Sequence, residues 1–192
     1  MATQAERTEA TRNTLVNTAR RLFAEKGYAD TSTEEILGAA GVSRGAMYHH
    51  FTDKRALFRA AFEAVENDLT ARVIEAASTE AAPFGQLQNG FAAFLDQCSN
   101  PEVQRIVMLD GPTVLGWDTW HEIDEQYAFG TLKAVLTAAS DQQLIGIETV
   151  EPLSHLLLGA VMQAGMVVAR APDPEDAKRA MTTTFARLLS VL

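Results

Sequence analysis

Cysteine is almost missing from the 192-residue sequence, in which Cys98 stands alone. An internal disulfide is therefore excluded, and a lone thiol is typical of proteins in a reducing compartment. We interpret Cys98 as a small buried apolar side chain rather than as a nucleophile. The polar N-terminal segment lacks the apolar core of a signal peptide, and no apolar run approaches the ~20 residues of a membrane-spanning helix. These absences predict a cytoplasmic protein without a membrane partner.

Strand signals are equally scarce, because no run of alternating β-branched residues is joined by a hairpin turn to a second such run. Apolar residues make up 47% of the chain and recur instead at helical spacing. One stripe runs from Leu15 to Phe23, and Gly27 stands where a glycine ends a helix. The pattern predicts an all-α protein with helices over 13–27 and 53–78, two short helices between them, and later helices at about 84–98, 101–109, 117–139, 149–171 and 174–191. The predicted breaks between the later helices lie at Asn100-Pro101, Gly111-Pro112, Asp141 to Gly146 and Pro172 to Pro174.

Negative charge dominates, and a net charge of −9 by itself disfavours a nucleic-acid partner. The charge is unevenly distributed, however. Residues 1–60 contain nine Lys or Arg against seven Asp or Glu, whereas the rest of the chain contains seven basic and eighteen acidic residues. A polyanion attracts the N-terminal part and repels the acidic remainder, so this distribution favours DNA binding through the N-terminal end.

Two short helices with a tight turn between them are predicted after the first helix. Ser32 and Glu35 have the spacing of a capping box, which starts one of them. Gly41 can adopt the positive φ that ends a helix abruptly, and Ser43 can cap the next helix, Arg44 to His50. A helix, a glycine-containing turn and a second helix form the helix-turn-helix arrangement. That arrangement presents the start of its second helix to the major groove of DNA.

These residues resemble the signature of TetR-family regulators. The resemblance rests on residues 41–51, GVSRGAMYHHF, and on the Lys54 and Leu57-Phe58 that follow. The end of the first helix, FAEKGY at 23–28, is similar as well. Beyond this N-terminal part, the chain resembles the family only in the number and length of its helices.

The resemblance implies a fold and a function for the whole chain. The fold is all-α with about nine helices: a three-helix helix-turn-helix DNA-binding domain at 1–56 and a ligand-binding and dimerisation domain at 57–192. The implied function is a ligand-responsive repressor. It binds a palindromic operator in double-stranded DNA as a homodimer and is released when a small-molecule effector binds. Activation instead of repression stays open, as do a helical-bundle enzyme and a dimeric ligand-binding or scaffolding protein that has lost DNA binding.

Phosphate contacts are implied at four positions. Tyr48 and His50 resemble family positions that donate hydrogen bonds to phosphates. Thr33 and Lys54 resemble further phosphate contacts, and both stand at helix N-termini, which favour anions. A weak metal site at His49 and His50 is the alternative, but adjacent helical residues point about 100° apart and chelate one ion poorly.

Base contacts are implied at the start of the second helix. Arg44 resembles a base-reading position and can contact guanine O6 and N7. Gly45 and Ala46 are small enough to let the helix approach the groove, and Ala46 can touch a thymine methyl. The predicted DNA-binding residues are Thr33, Ser43, Arg44, Gly45, Ala46, Tyr48, His49, His50 and Lys54.

Residues 60–192 contain no catalytic motif: there is no glycine-rich phosphate loop, no paired-cysteine metal spacing and no nucleophile elbow. The sequence therefore predicts no enzyme activity, no cofactor and no metal. One cluster could be an acid–base or metal site, although we favour a solvated charged face with one pocket-facing member. It comprises His121, Glu122, Asp124 and Glu125.

The predicted helix at 149–171 is apolar around most of its circumference and must be buried. The last helix, at 174–191, carries a second apolar stripe. In the family that these residues resemble, the last two helices form a four-helix bundle with those of a second subunit. The predicted dimer interface is Leu153, Leu157, Val161, Ala164, Val168, Met181, Phe185 and Leu188.

An effector pocket is predicted between the C-terminal helices. Aromatic and methionine side chains with few charges favour a moderately apolar effector, and which of them line the pocket rather than the core stays open. The candidates are Phe91, Phe94, Met108, Trp117, Trp120, His121, Tyr127, Met162, Gln163 and Met166.

Overall fold

Helices form all the regular structure in the part of the chain that the computed structural model describes, residues 3–192 without the side chain of Asp124. The predicted all-α class is confirmed. Nine α-helices and one π-helical segment follow one another within that range. They are α1 (Gln4–Asp30), α2 (Thr33–Ala40), α3 (Arg44–His50), α4 (Lys54–Ala77), α5 (Pro83–Gln97), the π-helical segment (Val103–Asp110), α6 (Gly111–Leu115), α7 (Trp117–Asp141), α8 (Ile147–Arg170) and α9 (Pro174–Leu189).

Helix α1 starts well before the predicted residue 13. Thr3 caps it: the Glu6 backbone N–H donates to Thr3 Oγ1 at 3.2 Å, and the Thr3 N–H donates to the Glu6 carboxylate at 2.6 Å. This first part of α1 is largely exposed and carries no apolar stripe, so periodicity gave no sign of it. At the other end Gly27 leaves the helical conformation with φ +83°, as predicted. A Cβ at this position would collide with the Arg105 guanidinium.

The predicted break at Gly111-Pro112 is wrong. Gly111 has helical angles, φ −49° and ψ −59°, and the π-helical segment runs directly into α6. The break comes at Gly116, which has φ +81°. Gly111 is needed for packing: a Cβ there would lie 2.8 Å from the Phe62 ring and 2.9 Å from the Trp120 ring.

Helix α4 connects the two ends of the molecule. Its first turns bury Leu57 and Phe58 against α1, where the Phe58 ring meets that of Phe23 edge-on at 5.2 Å. Its later turns bury Phe62, Val65 and Leu69, and here α4 packs against α5, the π-helical segment and α7. One apolar core therefore continues from the helix-turn-helix into the C-terminal helices.

Helix α8 is long and apolar enough to cross a membrane by length and composition, with 50% of its apolar window buried inside the protein. The sequence analysis expected no such run. Inside the protein, α8 packs against α5, α7, α9 and the π-helical segment. A core helix meets the same test of length and composition, so this feature is weak evidence for a membrane span.

Replacing Gly111 by alanine is expected to destabilise the protein, because the added methyl group enters a close-packed core between two aromatic rings. Overpacking of this kind costs about 1–3 kcal/mol. The matched control is Gly130→Ala in α7, where a Cβ meets open space. Alanine there should raise the free energy of unfolding by about 0.5–1 kcal/mol. Urea unfolding followed by circular dichroism measures both changes. If the two variants changed the free energy of unfolding by the same amount in the same direction, the packing argument would be refuted.

Candidate nucleic-acid interface and internal cavity

The turn between α2 and α3 has the predicted geometry. Gly41 adopts the left-handed conformation with φ +65° and ψ +28°, and the Val42 N–H donates to the Leu37 carbonyl at 3.2 Å. Ser43 caps α3, since its Oγ accepts the Ala46 N–H at 3.2 Å. These bonds satisfy backbone groups that a sharp turn would otherwise leave unpaired.

Helix α3 buries one side and exposes the other. Met47 is 0% exposed and Phe51, just after the helix, is 5% exposed, so both belong to the core. Tyr48 is 51% exposed, and no atom lies within 4 Å of a Cβ built on Gly45. The predicted DNA-binding residues of α3 therefore share an open surface. Arg44, Gly45, Tyr48 and His49 are exposed on it, and Ala46 and His50 are partly buried.

The predicted capping box at Ser32 and Glu35 forms only by half. The Glu35 N–H donates to Ser32 Oγ at 3.1 Å, but the Glu35 carboxylate pairs with the Lys26 ammonium of α1 instead of turning back. The carboxylate thereby links α2 to α1. Spacing along one helix could not indicate this, because the competing partner lies on another helix.

Arg44 is paired across the turn with Glu34 of α2. Both side chains are exposed, 60% for Arg44 and 66% for Glu34. An exposed ion pair is worth about 1 kcal/mol or less, so a guanine edge can replace the carboxylate as the partner of the guanidinium. The pair brings Glu34, which the sequence analysis did not single out, to the edge of the candidate interface.

Lys54 lies at the N-terminus of α4 and has two partners inside the protein. Its ammonium donates to the Tyr28 carbonyl at 2.7 Å and to the Thr31 carbonyl at 2.9 Å, and it lies 4.0 Å from the centre of the Tyr28 ring. Burial lowers its pKa, while nearby Asp30 opposes the shift. An ammonium has three donors, so one N–H remains for a phosphate. Lys54 therefore holds the end of α1 in addition to its predicted role.

Asp110 of the π-helical segment also holds this end of α1. The Tyr28 N–H donates to Asp110 Oδ2 at 2.8 Å, and the Arg105 Nε donates to the same oxygen at 3.2 Å. About two turns earlier in α1, the Arg20 guanidinium forms ion pairs with Asp68 at 2.8 Å and with Glu102 at 2.9 Å. The helix-turn-helix is thus joined by polar contacts to the π-helical segment and to α4.

A cavity lies between α4, α5, α7, α8 and α9. The space between its atoms is about 740 Å³, including the mouth that opens to solvent. Most of its described lining is apolar, and the Phe91 and Phe185 rings stack at 4.1 Å. An apolar lining with a few polar groups is typical of a small-molecule site. The lining comprises Glu66, Leu69, Thr70, Val73, Ala77, Gln86, Leu87, Gly90, Phe91, Phe94, Ala128, Thr131, Leu132, Val135, Val161, Met162 and Phe185.

Comparison with known families gives two matches. Residues 15–61 match the family described as "Bacterial regulatory proteins, tetR family". Residues 84–192, more than half of the chain, match "Tetracyclin repressor-like, C-terminal domain". The chain belongs to the TetR family. The resemblance drawn from the N-terminal motif is confirmed.

Individual members of the family agree with this assignment. The transposon Tn10 TetC protein of Escherichia coli is 27% identical over 91% of this chain and 88% of its own length. The crystal structure of a TetR-family transcriptional regulator from Pectobacterium atrosepticum has a TM-score of 0.85 at 29% identity, covering 98% of this chain and 96% of that one. The crystal structure of RolR in complex with resorcinol has a TM-score of 0.75 at 17% identity, covering 96% and 90% of the two chains, and therefore shares the fold.

The predicted effector residues divide between the cavity and other places in this TetR-family chain. Phe91, Phe94 and Met162 line the cavity. Met108 and Trp120 are buried in the core, where the Trp120 indole N–H donates to the Val107 carbonyl at 3.1 Å. The other five candidate residues do not line the cavity either. Trp117, His121 and Gln163 are exposed, and Tyr127 and Met166 are partly buried outside the lining.

His121 belongs to the charged face that the sequence analysis considered as a cluster. It stacks on the Trp117 ring with 6.2 Å between ring centres, and Glu122 is exposed. The side chain of Asp124 lies outside the described part of the structure. Glu125 faces His155 of α8 at 3.7 Å instead of His121.

Glu66 is the charged residue among the cavity residues that the sequence analysis missed. It is 2% exposed. Its position gave a signal, because it stands four residues after Phe62 and three before Leu69, both on the buried stripe of α4. A charged residue on an apolar stripe marks either a buried ion pair or a binding site.

Cys98 is 0% exposed, as interpreted from the sequence. Burial, with a smaller contribution from the nearby Glu66 carboxylate, raises the pKa of the thiol to about 12. The thiol therefore stays protonated at neutral pH, which excludes the thiolate needed for nucleophilic chemistry.

The predicted dimer residues lie mostly on the inner side of the two last helices. Leu153, Leu157, Ala164, Val168 and Phe185 are between 0% and 9% exposed within one protomer. These side chains pack inside the protomer, so little of their surface is available to a second one. The dimer interface itself stays a prediction. Val161 and Met181 are partly buried, and Leu188 is exposed.

The opposite side of α8 is open. Leu156 is 71% exposed and Val167 37% exposed, and the small residues Gly159 and Ala160 lie between them. The sequence could not separate the two faces, because the helix is apolar on both.

The Lys54→Met substitution is expected to destabilise the protein by about 1–3 kcal/mol, since the carbonyls of Tyr28 and Thr31 lose their donor. Lys26→Met is the matched control: Lys26 is an exposed member of a surface ion pair, so its loss should leave the stability nearly unchanged. Thermal unfolding in the absence of DNA separates the two. Equal midpoints for both variants would mean that the internal bonds of Lys54 contribute nothing.

Proposed function

We propose that this TetR-family protein is a transcriptional repressor. It binds a palindromic operator as a homodimer and leaves the DNA when a small apolar molecule occupies the internal cavity. The open face of α3, held in place by the buried Met47, is the observation that carries the proposal. A groove-binding helix needs a polar outer face and an anchored inner one, and α3 has both.

Each predicted contact has a matching group on α3 or at the start of α2 or α4. The Tyr48 hydroxyl, the His50 ring and the third N–H of Lys54 are donors for phosphate oxygens, as is the Thr33 hydroxyl at the start of α2. Arg44 exchanges its Glu34 partner for a guanine edge. Ser43 and His49 complete the surface, and Gly45 and Ala46 let α3 approach the bases.

Homodimerisation is proposed through the open side of α8 together with the exposed side of α9. Leu156, Gly159, Ala160 and Val167 provide an apolar strip with small residues at its centre, where two helices can approach closely. Leu188 of α9 extends it. A two-fold axis through this strip gives two recognition helices, which can then read half-sites about 34 Å apart.

Effector binding is proposed to act on DNA through α4. The helix forms one wall of the cavity through Glu66, Leu69 and Val73, and its first turn carries Lys54 and packs on α1. A molecule that enters the cavity moves α4 against α7 and the π-helical segment, changes the separation of the two helix-turn-helix units and lowers operator affinity. RolR, which has the same fold, has been crystallised with the small molecule resorcinol.

Operator binding is expected to be tight, salt-sensitive and dependent on the α3 face. Tyr48→Phe removes a hydrogen bond to a charged phosphate and should weaken binding by about ten- to a hundredfold. Arg44→Ala should weaken binding to the operator more than binding to random duplex, because it removes a base contact. Fluorescence anisotropy at two salt concentrations, with an operator selected from a random duplex pool, measures both.

The charge-matched control is Arg72→Ala, which removes an exposed arginine near the far end of α4. The Arg72→Ala protein should bind the operator with the same affinity as the wild type. If the α3 variants bound operator as well as Arg72→Ala does, or if the wild type preferred no sequence, the operator-binding proposal would be refuted. A reporter gene under the same operator separates repression from activation.

Leu156→Arg is expected to convert the dimer to monomers and to reduce operator affinity, because a charge is placed in the proposed apolar strip. Ile74→Arg is the control, since Ile74 is 46% exposed on α4 and lies outside the strip. Light scattering coupled to size exclusion gives the mass of each. A Leu156→Arg protein that stays dimeric at the concentration where the wild type does would place the interface elsewhere.

A further inference from the structure

The N-terminal extension of α1, from Gln4 to Thr14, precedes the region of the family match, which starts at residue 15. The extension is a regular helix that starts at the Thr3 cap. It continues without a break into the part of α1 that packs against α2, α3 and α4. Three threonine hydroxyls each donate to the carbonyl four residues earlier at 2.8 to 2.9 Å, those of Thr8, Thr11 and Thr14. The extension is therefore fixed to the helix-turn-helix.

Arg12 lies on the inner side of this extension and is partly buried. It stands three residues before Leu15 and four before Val16, which are 0% and 5% exposed, and residues at these spacings share one face of a helix. The central carbon of its guanidinium lies 5.6 Å from the centre of the Phe51 ring. A cation over an aromatic face at this distance is attracted to it. The Phe51 ring thus holds a positive charge beside the end of α3.

Phe51 also adjoins the candidate nucleic-acid interface. Its ring centre lies 6.3 Å from that of His50, one of the four proposed phosphate contacts. Arg12 and His50 therefore lie against the same ring. The positive charge of Arg12 is thus placed at the edge of the surface that we propose to bind DNA.

The guanidinium of Arg12 keeps its hydrogen-bonding capacity. It has five N–H donors, and no residue that the structure describes accepts one of them or forms an ion pair with it. Two other cations of the interface differ, because Arg44 pairs with Glu34 and Lys54 donates to two carbonyls. The donors of a guanidinium form a fork that matches the oxygens of a phosphate.

The extension as a whole does not attract DNA. Residues 3–14 contain two acidic and two basic residues and so have no net charge. Glu6 is bonded to Thr3 in the cap, and Arg7 and Glu9 are exposed. A role in DNA binding therefore depends on where Arg12 lies and not on the overall charge of this segment.

We infer, on the basis of the proposed function, that Arg12 binds a backbone phosphate of the operator that neighbours the one contacted by His50. A phosphate contact has no sequence preference of its own, but it fixes the position of the protein on the duplex. The extension of α1 is thus part of the DNA-binding surface, together with α3 and the first turns of α2 and α4.

Arg12→Met tests this inference, because methionine keeps a long side chain over Phe51 and removes the charge. Arg7→Met is the matched control: it makes the same change of charge on the same extension, at an exposed position. Arg12→Lys keeps the charge. Each full-length protein is titrated by fluorescence anisotropy with the operator and with random duplex, over a series of salt concentrations.

Arg12→Met should weaken binding to the operator and to random duplex by the same factor, about five- to tenfold, and should reduce the slope of log affinity against log salt by about 1. Arg7→Met should change both affinities by less than about twofold, because exposed charges are screened by salt. Arg12→Lys should keep the wild-type slope. The inference would be overturned if Arg12→Met behaved like Arg7→Met, if its loss were confined to the operator, or if Arg12→Lys lost the slope as well.

Operators with a single methylphosphonate, which removes the charge of one phosphate, locate the contact. His50→Ala identifies the phosphate of His50, because this variant no longer responds to a methylphosphonate there. The wild type should also be weakened by a methylphosphonate at a neighbouring position, and Arg12→Met should lose its response at that position alone. A wild-type profile without such a neighbouring position would overturn the inference. This comparison needs no Arg12 variant, so the test holds even if Arg12→Met folds poorly.

Tyr48→Phe distinguishes failure of this inference from failure of the proposed function. If Tyr48→Phe weakens operator binding and Arg12→Met does not, only the role of Arg12 is refuted. If the wild type prefers no sequence over random duplex, the proposed function is refuted, whatever the extension contacts.

Discussion

The burial of one side of α4 against both ends of the molecule is the interaction on which the rest of the structure depends. Phe58 packs on α1 in the helix-turn-helix, and Phe62 packs against the bare backbone of Gly111. Each fully buried side chain of this size contributes about 1.5–3 kcal/mol. The same helix also forms the cavity wall at Leu69, so one element adjoins both the cavity and the helix-turn-helix.

Polar contacts complement this apolar stripe at the end of α1. Asp110 holds the Tyr28 N–H from one side, and Lys54 holds the Tyr28 carbonyl from the other. The turn after Gly27 is therefore fixed by the π-helical segment and by α4 together. A relative movement of these two elements changes the hydrogen bonds of this turn, because directional bonds tolerate little displacement. The orientation of the helix-turn-helix is thus sensitive to the part of the protein that adjoins the cavity.

Local chemistry made the helix-turn-helix predictable from the sequence. Gly41 and Ser43 fix the turn by their own backbone and side chain, and Met47 follows the helical period of the core. The C-terminal part was less predictable, because its sites depend on contacts between distant segments. Trp120 and Phe91 are both aromatic residues on helices, and only the packing places the first in the core and the second at the cavity. The faces of α8 were confused because an all-round apolar helix has no polar side to mark its exposed surface.

The distance between the cavity and the DNA-binding surface limits how they can communicate. Glu66 and Lys54 are twelve residues apart on one helix, roughly 18 Å along its axis, and no loop intervenes. One continuous helix therefore joins the cavity wall to the start of α4. In the proposed mechanism, linkage requires that operator and effector oppose each other equally. The factor by which the ligand lowers operator affinity is the factor by which the operator lowers ligand affinity. The difference between a compound's affinities for the two forms therefore limits how far it can move the equilibrium between DNA-bound and free protein.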